Sequence, residues 1–380
     1  MFDLPPDTKA LQETAQDFAR ERIAPQAIAW DRDRHFPLDV FREAAALGMA
    51  GLYVREESGG AGLTRLDAAV VFEALATGCP TISAFLSIHN MVAWMTDRWG
   101  TDAQRAQWLP DLLTMEKVAS YCLTEPGSGS DAVALATKAR RDNEGYVLDG
   151  AQQFISGAGA SDLYLTMVRT GGPGADGISA LLIPKETPGL SFGANERKMG
   201  WNAQPTRQVI FEDARVPADA LLGEEGQGFR YAMAGLDGGR LNIAACSLGG
   251  AQAALDIALD YVRTRRAFGR AVSDFQATQF RLADMATELE AARSLLWRAC
   301  AKLDGKEPDA TTFCAMAKRF VTDTCHRIAD EALQLLGGYG YLADYGIEKI
   351  VRDLRVHRIL EGTNEIMRVI IARQLVGRPG

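Results

Sequence analysis

Val118-Ala119-Ser120-Tyr121-Cys122-Leu123-Thr124-Glu125-Pro126-Gly127-Ser128-Gly129-Ser130-Asp131 is where the chain changes its period. Val118 to Leu123 reads as a strand, and Thr124 to Asp131 as a Gly- and Ser-rich loop. Before it the apolar spacing is helical: Leu11, Ala15, Phe18 and Ile23 share one stripe, and Pro37 to Gly48 carries the usual helix punctuation. After it come short β-branched or alternating runs at 136–141, 146–149, 153–156, 163–169, 178–183 and 208–211, separated by Gly and Pro clusters such as 171–174. Beyond Gly223-Glu224-Glu225-Gly226-Gln227-Gly228 the helical period returns over 229–263, 275–303 and 309–336. Helical, then β, then helical predicts an α+β protein rather than alternating βαβ units. The expected domains are an N-terminal helical domain (1–117), a central antiparallel β-barrel or sandwich (118–224) and a C-terminal helical bundle (225–380).

Composition removes several function classes. A net charge of -8 gives no general nucleic-acid footprint. The six cysteines form no C-x-x-C pair and no cluster with the four histidines, so neither a metal site nor a disulfide framework is expected. No P-loop, H-E-x-x-H or G-x-S-x-G motif occurs, and Gly157-Ala158-Gly159 follows a strand without opening a helix, which argues against a Rossmann site. Ala74 to Thr96 lacks charge but carries Gly78, Pro80, His89 and Asn90, and reads as two buried helices broken at 78–80 rather than a membrane span. The first residues show no secretory signal, so the expected location is cytoplasmic.

Four stretches can carry chemistry. Glu361 directly precedes Gly362 and Thr363, and Thr363 reads as the N-cap of a helix containing Ile366, Met367, Ile370 and Ile371. A carboxylate on such a loop is either a general base or a solvated helix-start glutamate. The 123–131 loop is an ordinary turn or a set of N–H groups and hydroxyls facing a flat, polar-edged ligand. Gln334-Leu335-Leu336-Gly337-Gly338 is a C-cap or a place for a diphosphate, and Arg265-Arg266-Ala267-Phe268-Gly269 is a solvated basic turn or an anion site.

In this order and spacing the pieces resemble the acyl-CoA dehydrogenase family over nearly the whole chain. The motifs are Tyr121 to Asp131, Phe154-Ile155-Ser156, Lys198 to Trp201, Phe211 to Pro217, Gly223 to Phe229, Arg265 with Phe268-Gly269, Phe275-Gln276, Gln334 to Gly338 and Glu361-Gly362-Thr363. The resemblance implies FAD between the β domain and the bundle, in a homotetramer built as a dimer of dimers. Tyr121, Leu123, Thr124, Gly129, Ser130, Phe154, Ile155 and Ser156 would line the flavin, with the Ser156 hydroxyl a partner for its N5. Thr363, Asn364 and Glu365 would meet the cofactor at the helix start. Arg265, Phe275, Gln276, Gln334, Leu335, Leu336, Gly337 and Gly338 would reach a neighbouring subunit's FAD.

By the same resemblance Glu361 is the catalytic base, and Ser130, Asp237, Gly238, Gly239, Arg240 and Arg373 contact the acyl-CoA. Some relatives place the base on the helix around Gly239, which leaves Asp237 a distant second candidate. Gln152 and Ala271-Val272 depart from the frequent Lys and Pro. The runs 200–207 and 236–249 look most like the branch of the family that oxidises isobutyryl-CoA in valine breakdown, and electron-transferring flavoprotein would accept the electrons. The alternatives are a straight short-chain or 2-methylbutyryl substrate, an oxidase using O₂, and a CoA-ester-binding relative without redox activity.

Overall fold

The computed structural model describes residues 3–377. Six helices come first: α1 (Pro6–Phe18), α2 (Ala27–Asp33), α3 (Leu38–Ala46), α4 (Arg65–Gly78), α5 (Pro80–Trp99) and α6 (Asp102–Leu113). The helical stripe through Leu11, Ala15, Phe18 and Ile23 is divided by a π-helical turn at Ala19–Ile23, just before Pro25. Thr64 and Thr101 start α4 and α6 with capping boxes, accepting from the backbone N–H of Asp67 and Gln104, whose side chains bond back.

Seven strands follow: β1 (Ala119–Cys122), β2 (Lys138–Arg141), β3 (Gly145–Ser156), β4 (Leu163–Arg169), β5 (Ile178–Pro184), β6 (Leu190–Phe192) and β7 (Thr206–Pro217). They form one sheet in the order β1-β4-β2-β3-β7-β6, with β5 paired to the other edge of β4. Most pairs are antiparallel, while β1 and β2 join β4 in parallel. β3 is a single strand where the sequence suggests two runs, because register shifts after Leu148 and after Gln152 break its alternation against β7.

The C-terminal part contains α7 (Gly228–Thr264), a small hairpin of β8 (Arg266–Ala267) and β9 (Arg270–Ala271), α8 (Gln276–Asp304), α9 (Ala310–Leu336), α10 (Ile347–Arg355) and α11 (Asn364–Val376). α7 is the central member, packed by α4, α5, α8 and α9. It is also the one helix of the described residues long and apolar enough to cross a membrane, but 83% of its apolar window is buried inside the protein, as in a core helix.

One carboxylate joins all three parts. Asp353 on α10 is fully buried and accepts from Thr81 Oγ1 on α5 (2.9 Å), from the backbone N–H of Trp201 beyond β6 (2.7 Å) and from Lys349 Nζ (2.6 Å).

Candidate active site

A cavity of about 460 Å³ opens where β1, β3, α5, α7 and α11 meet. Glu361 lies in it, on the loop between a short 3₁₀ turn at Val356–Arg358 and α11. The loop is bent by two successive left-handed residues, Glu361 (φ 56°) and Gly362 (φ 85°). The first is costly for a residue with a Cβ, by about 1–2 kcal/mol. Thr363 then caps α11, its Oγ1 accepting from Ile366 N–H at 3.3 Å.

Glu361 Oε2 is enclosed and has no hydrogen-bond partner among the described residues. Burial raises the carboxyl pKa to about 7, against the opposing pull of Arg240 and Lys318. Its backbone N–H likewise has no partner among the described residues, while its carbonyl accepts from Arg240 Nε at 3.3 Å.

Gly239 explains how the carboxylate fits against α7: a Cβ there would stand 2.5 Å from Glu361 Oε2. A base carried at position 239 and a base carried at 361 would therefore compete for the same space. Arg240 is buried, forms a 2.6 Å ion pair with Asp237 Oδ1 and lines the cavity. Asp237 points away, its other oxygen accepting from Thr311 at 2.6 Å, and so is poorly placed to act as base. Gly238 faces Arg65, whose guanidinium stacks over Tyr53 (3.7 Å) and Trp94 (4.6 Å). Asp237, Gly238 and Gly239 do not line the cavity, whereas Ser130, Arg240 and Arg373 do.

The opposite wall is polar backbone and aromatic surface. Glu125 folds the loop of residues 123–131, accepting from the N–H groups of Ala136 and Thr137 (2.7 Å each) and from Gln152 Nε2 (3.2 Å). Leu123, Thr124, Gly129 and Ser130 face the cavity as a result. The β3 bulge after Gln152 turns Phe154 (φ 60°) into the same space, where its ring is 63% exposed, beside Ile155 and Ser156. Tyr121 also lines the cavity and buries its hydroxyl without a partner. An exposed aromatic ring, a loop of backbone donors and two enclosed polar atoms lacking partners fit a planar cofactor with polar edges.

Other expected contacts lie elsewhere. Asn364 is buried and occupied by α9: its Nδ2 donates to Thr322 Oγ1 (3.0 Å) and Asp323 Oδ1 (2.9 Å). Glu365 is exposed, and Thr363, Asn364 and Glu365 do not line the cavity. Arg265 and Gln334 to Gly338 line a second hollow of about 410 Å³ with Tyr261 and Tyr339, and Phe275 and Gln276 lie outside both.

Trp201, quoted above only as part of a motif, and Lys318, not singled out there, also bear on the site. Trp201 walls the cavity. Its indole N–H donates to His357 Nε2 (3.2 Å), so the neutral ring's Nδ1–H donates to Ser247 Oγ (2.7 Å), whose hydroxyl serves the Ile243 carbonyl (2.8 Å). Burial holds the His357 pKa down near 3. Lys318, on α9, is fully buried and reaches the loop that carries Glu361. Its signal was available: it shares the apolar stripe of Cys314, Val321 and Cys325.

Family models match in three consecutive pieces: acyl-CoA dehydrogenase N-terminal domain (residues 5–116), middle domain (120–214) and C-terminal domain (226–376). The chain belongs to the acyl-CoA dehydrogenase family. It is accordingly an oxidoreductase and flavoprotein. It is 56% identical to the mitochondrial isobutyryl-CoA dehydrogenase of Dictyostelium discoideum, over 97% of this chain and 89% of the relative. The solved butyryl-CoA dehydrogenase of Megasphaera elsdenii superposes with a TM-score of 0.95 at 36% identity, over 99% of this chain and 100% of that one. PigA with FAD and proline superposes with a TM-score of 0.96 at 30% identity, over 100% of each chain. The cytoplasmic expectation is corrected by these relatives: the similar isobutyryl-CoA dehydrogenase is mitochondrial. The first residues alone were a poor basis for assigning a compartment.

Proposed function

We propose that the protein oxidises isobutyryl-CoA to its 2,3-enoyl-CoA with FAD, Glu361 acting as the base, and passes the electrons to electron-transferring flavoprotein. The carrying observation is the Glu361 carboxylate: enclosed in the cavity, without a hydrogen-bond partner at Oε2, and with a pKa near 7. Above that pH it is a carboxylate ready to take a proton from the carbon α to the thioester. The unpartnered N–H of Glu361 is available to the thioester oxygen, where negative charge builds as the α C–H bond breaks. Arg240 holds the Glu361 carbonyl and so helps fix the turn that carries that N–H.

FAD, held by Tyr121, Leu123, Thr124, Gly129, Ser130 and the Phe154–Ser156 segment, would supply the hydride acceptor for the β carbon. The α proton goes to Glu361, the β hydrogen leaves with its electron pair, and the C–C double bond forms. The resemblance also supports a homotetramer in which Arg265, Phe275, Gln276 and Gln334 to Gly338 reach a neighbour's cofactor, and domains divided at 117/118 and 224/225.

Support for the branched acyl chain is the similarity to isobutyryl-CoA dehydrogenases. One methylene in a pocket discriminates by only about 1–3 kcal/mol, or 10–200-fold. Turnover on a panel of isobutyryl-, 2-methylbutyryl-, butyryl- and hexanoyl-CoA should therefore rank isobutyryl-CoA first in kcat/KM by at least about tenfold. A higher value for butyryl-CoA would move the assignment to a straight-chain substrate.

A further inference from the structure

Lys318 carries a titratable amine at 0% exposure, and both hydrogen bonds of its Nζ among the described residues go to neutral oxygens rather than to a carboxylate. Burying a cation that way is unfavourable, and an apolar side chain of the same length would fill the space at less cost. Its Nζ donates to the Gly362 carbonyl at 2.7 Å and to Asn364 Oδ1 at 2.9 Å. We propose that Lys318 is a positioning residue for proton abstraction: it holds the strained Glu361–Gly362 turn toward the cavity and sets the charge beside the base. This rests on the reading of Glu361 as the base.

The geometry is a two-sided grip. Arg240 on α7 holds the carbonyl of Glu361, and Lys318 on α9 holds the carbonyl of the next residue. Consecutive carbonyls of a left-handed turn are thus fixed by cations from different helices. Asn364 extends the grip by tying the first residue of α11 to Thr322 and Asp323. A strained turn persists when its surroundings over-determine it in this way. Lys318 needs no third acceptor: a neutral amine has two N–H bonds, and two acceptors are present. Deprotonation therefore breaks no hydrogen bond. The charged and titratable groups around it are Glu361, Asp323 and Glu365, which favour the ammonium, with Arg240 opposing, and His357 nearby.

The test is Lys318→Met in the holoenzyme. Flavin reduction by isobutyryl-CoA should slow by about 10²-fold, the scale of a small misplacement at the reacting centre, with KM changed little. The acidic limb of its pH profile should move upward, because an ammonium beside Glu361 favours the carboxylate. A second readout does not use turnover. Burial lowers the Lys318 pKa to about 7, whereas an unfolded lysine titrates near 10.5. Between those values the unfolded chain binds more protons, so wild-type Tm should rise relative to Lys318→Met as pH goes from 7 to 9. A variant with wild-type reduction rate, or one whose pH limb and Tm difference stay flat, overturns the proposal. If the Met variant does not fold, Lys318→Gln carries the same predictions for the pH limb. Glu361→Gln run alongside separates the cases: normal reduction there defeats the base itself, whereas an inactive Glu361→Gln with an unaffected Lys318→Met defeats only the role of Lys318.

Discussion

A carboxylate enclosed without a hydrogen-bond partner stores a cost that the fold bears until substrate arrives. For Glu361 the sign of that cost is set by its raised pKa. Between about 4.5 and 7 the folded protein binds more protons at this site than the unfolded chain, so its contribution to stability falls as pH rises through that window. At pH 8 the full penalty is present. Glu361→Gln should therefore raise Tm at pH 8 and change it little at pH 5, and a thermal melt at the two values checks it. Equal shifts at both would mean that the carboxyl titrates like a solvated glutamate. The same pKa predicts that kcat/KM rises with pH through about 7 in the wild type.

At the scale of elements, α7 and the 361–363 loop are fitted to each other through a missing side chain. Gly239→Ala would put a methyl 2.5 Å from Glu361 Oε2. The helix tolerates alanine, so secondary structure should survive while flavin reduction falls about 10²-fold through displacement of the base. Stopped-flow reduction together with circular dichroism decides it, and an undisturbed rate would show that the carboxylate works from elsewhere. Most of this architecture was legible in the sequence. The long helices α7, α8 and α9 begin and end within a residue of their apolar stripes, and Thr363 caps α11 as its residue type requires. Less legible were features that break a period. Two register shifts hide the continuity of β3, β6 has only three residues, and Lys318 looks like a solvated lysine until its helical face is counted. Asn364 and Thr363 carried motif signals, yet their side chains serve the helix start and α9 rather than the cavity wall.

At the scale of the whole molecule, the cavity is walled by elements of all three regions. Asp353 is the shared tie, bonded at once to α5, to the Trp201 backbone and to Lys349. Asp353→Ala strands a buried lysine and frees the segment that positions Trp201. It should cost about 3–5 kcal/mol, read as a lower denaturation midpoint; a loss below about 1 kcal/mol would show that the regions are joined by apolar packing alone. The whole arrangement serves the proposed step, removal of the α proton by a single carboxylate from a thioester bound in this cavity. Mixing the flavin-loaded protein with isobutyryl-CoA in the absence of oxygen, and following the flavin's visible absorbance, tests it most directly. The wild type should bleach rapidly while Glu361→Gln, with cofactor and ligand still bound, stays yellow. Bleaching of both at comparable rates would contradict the account.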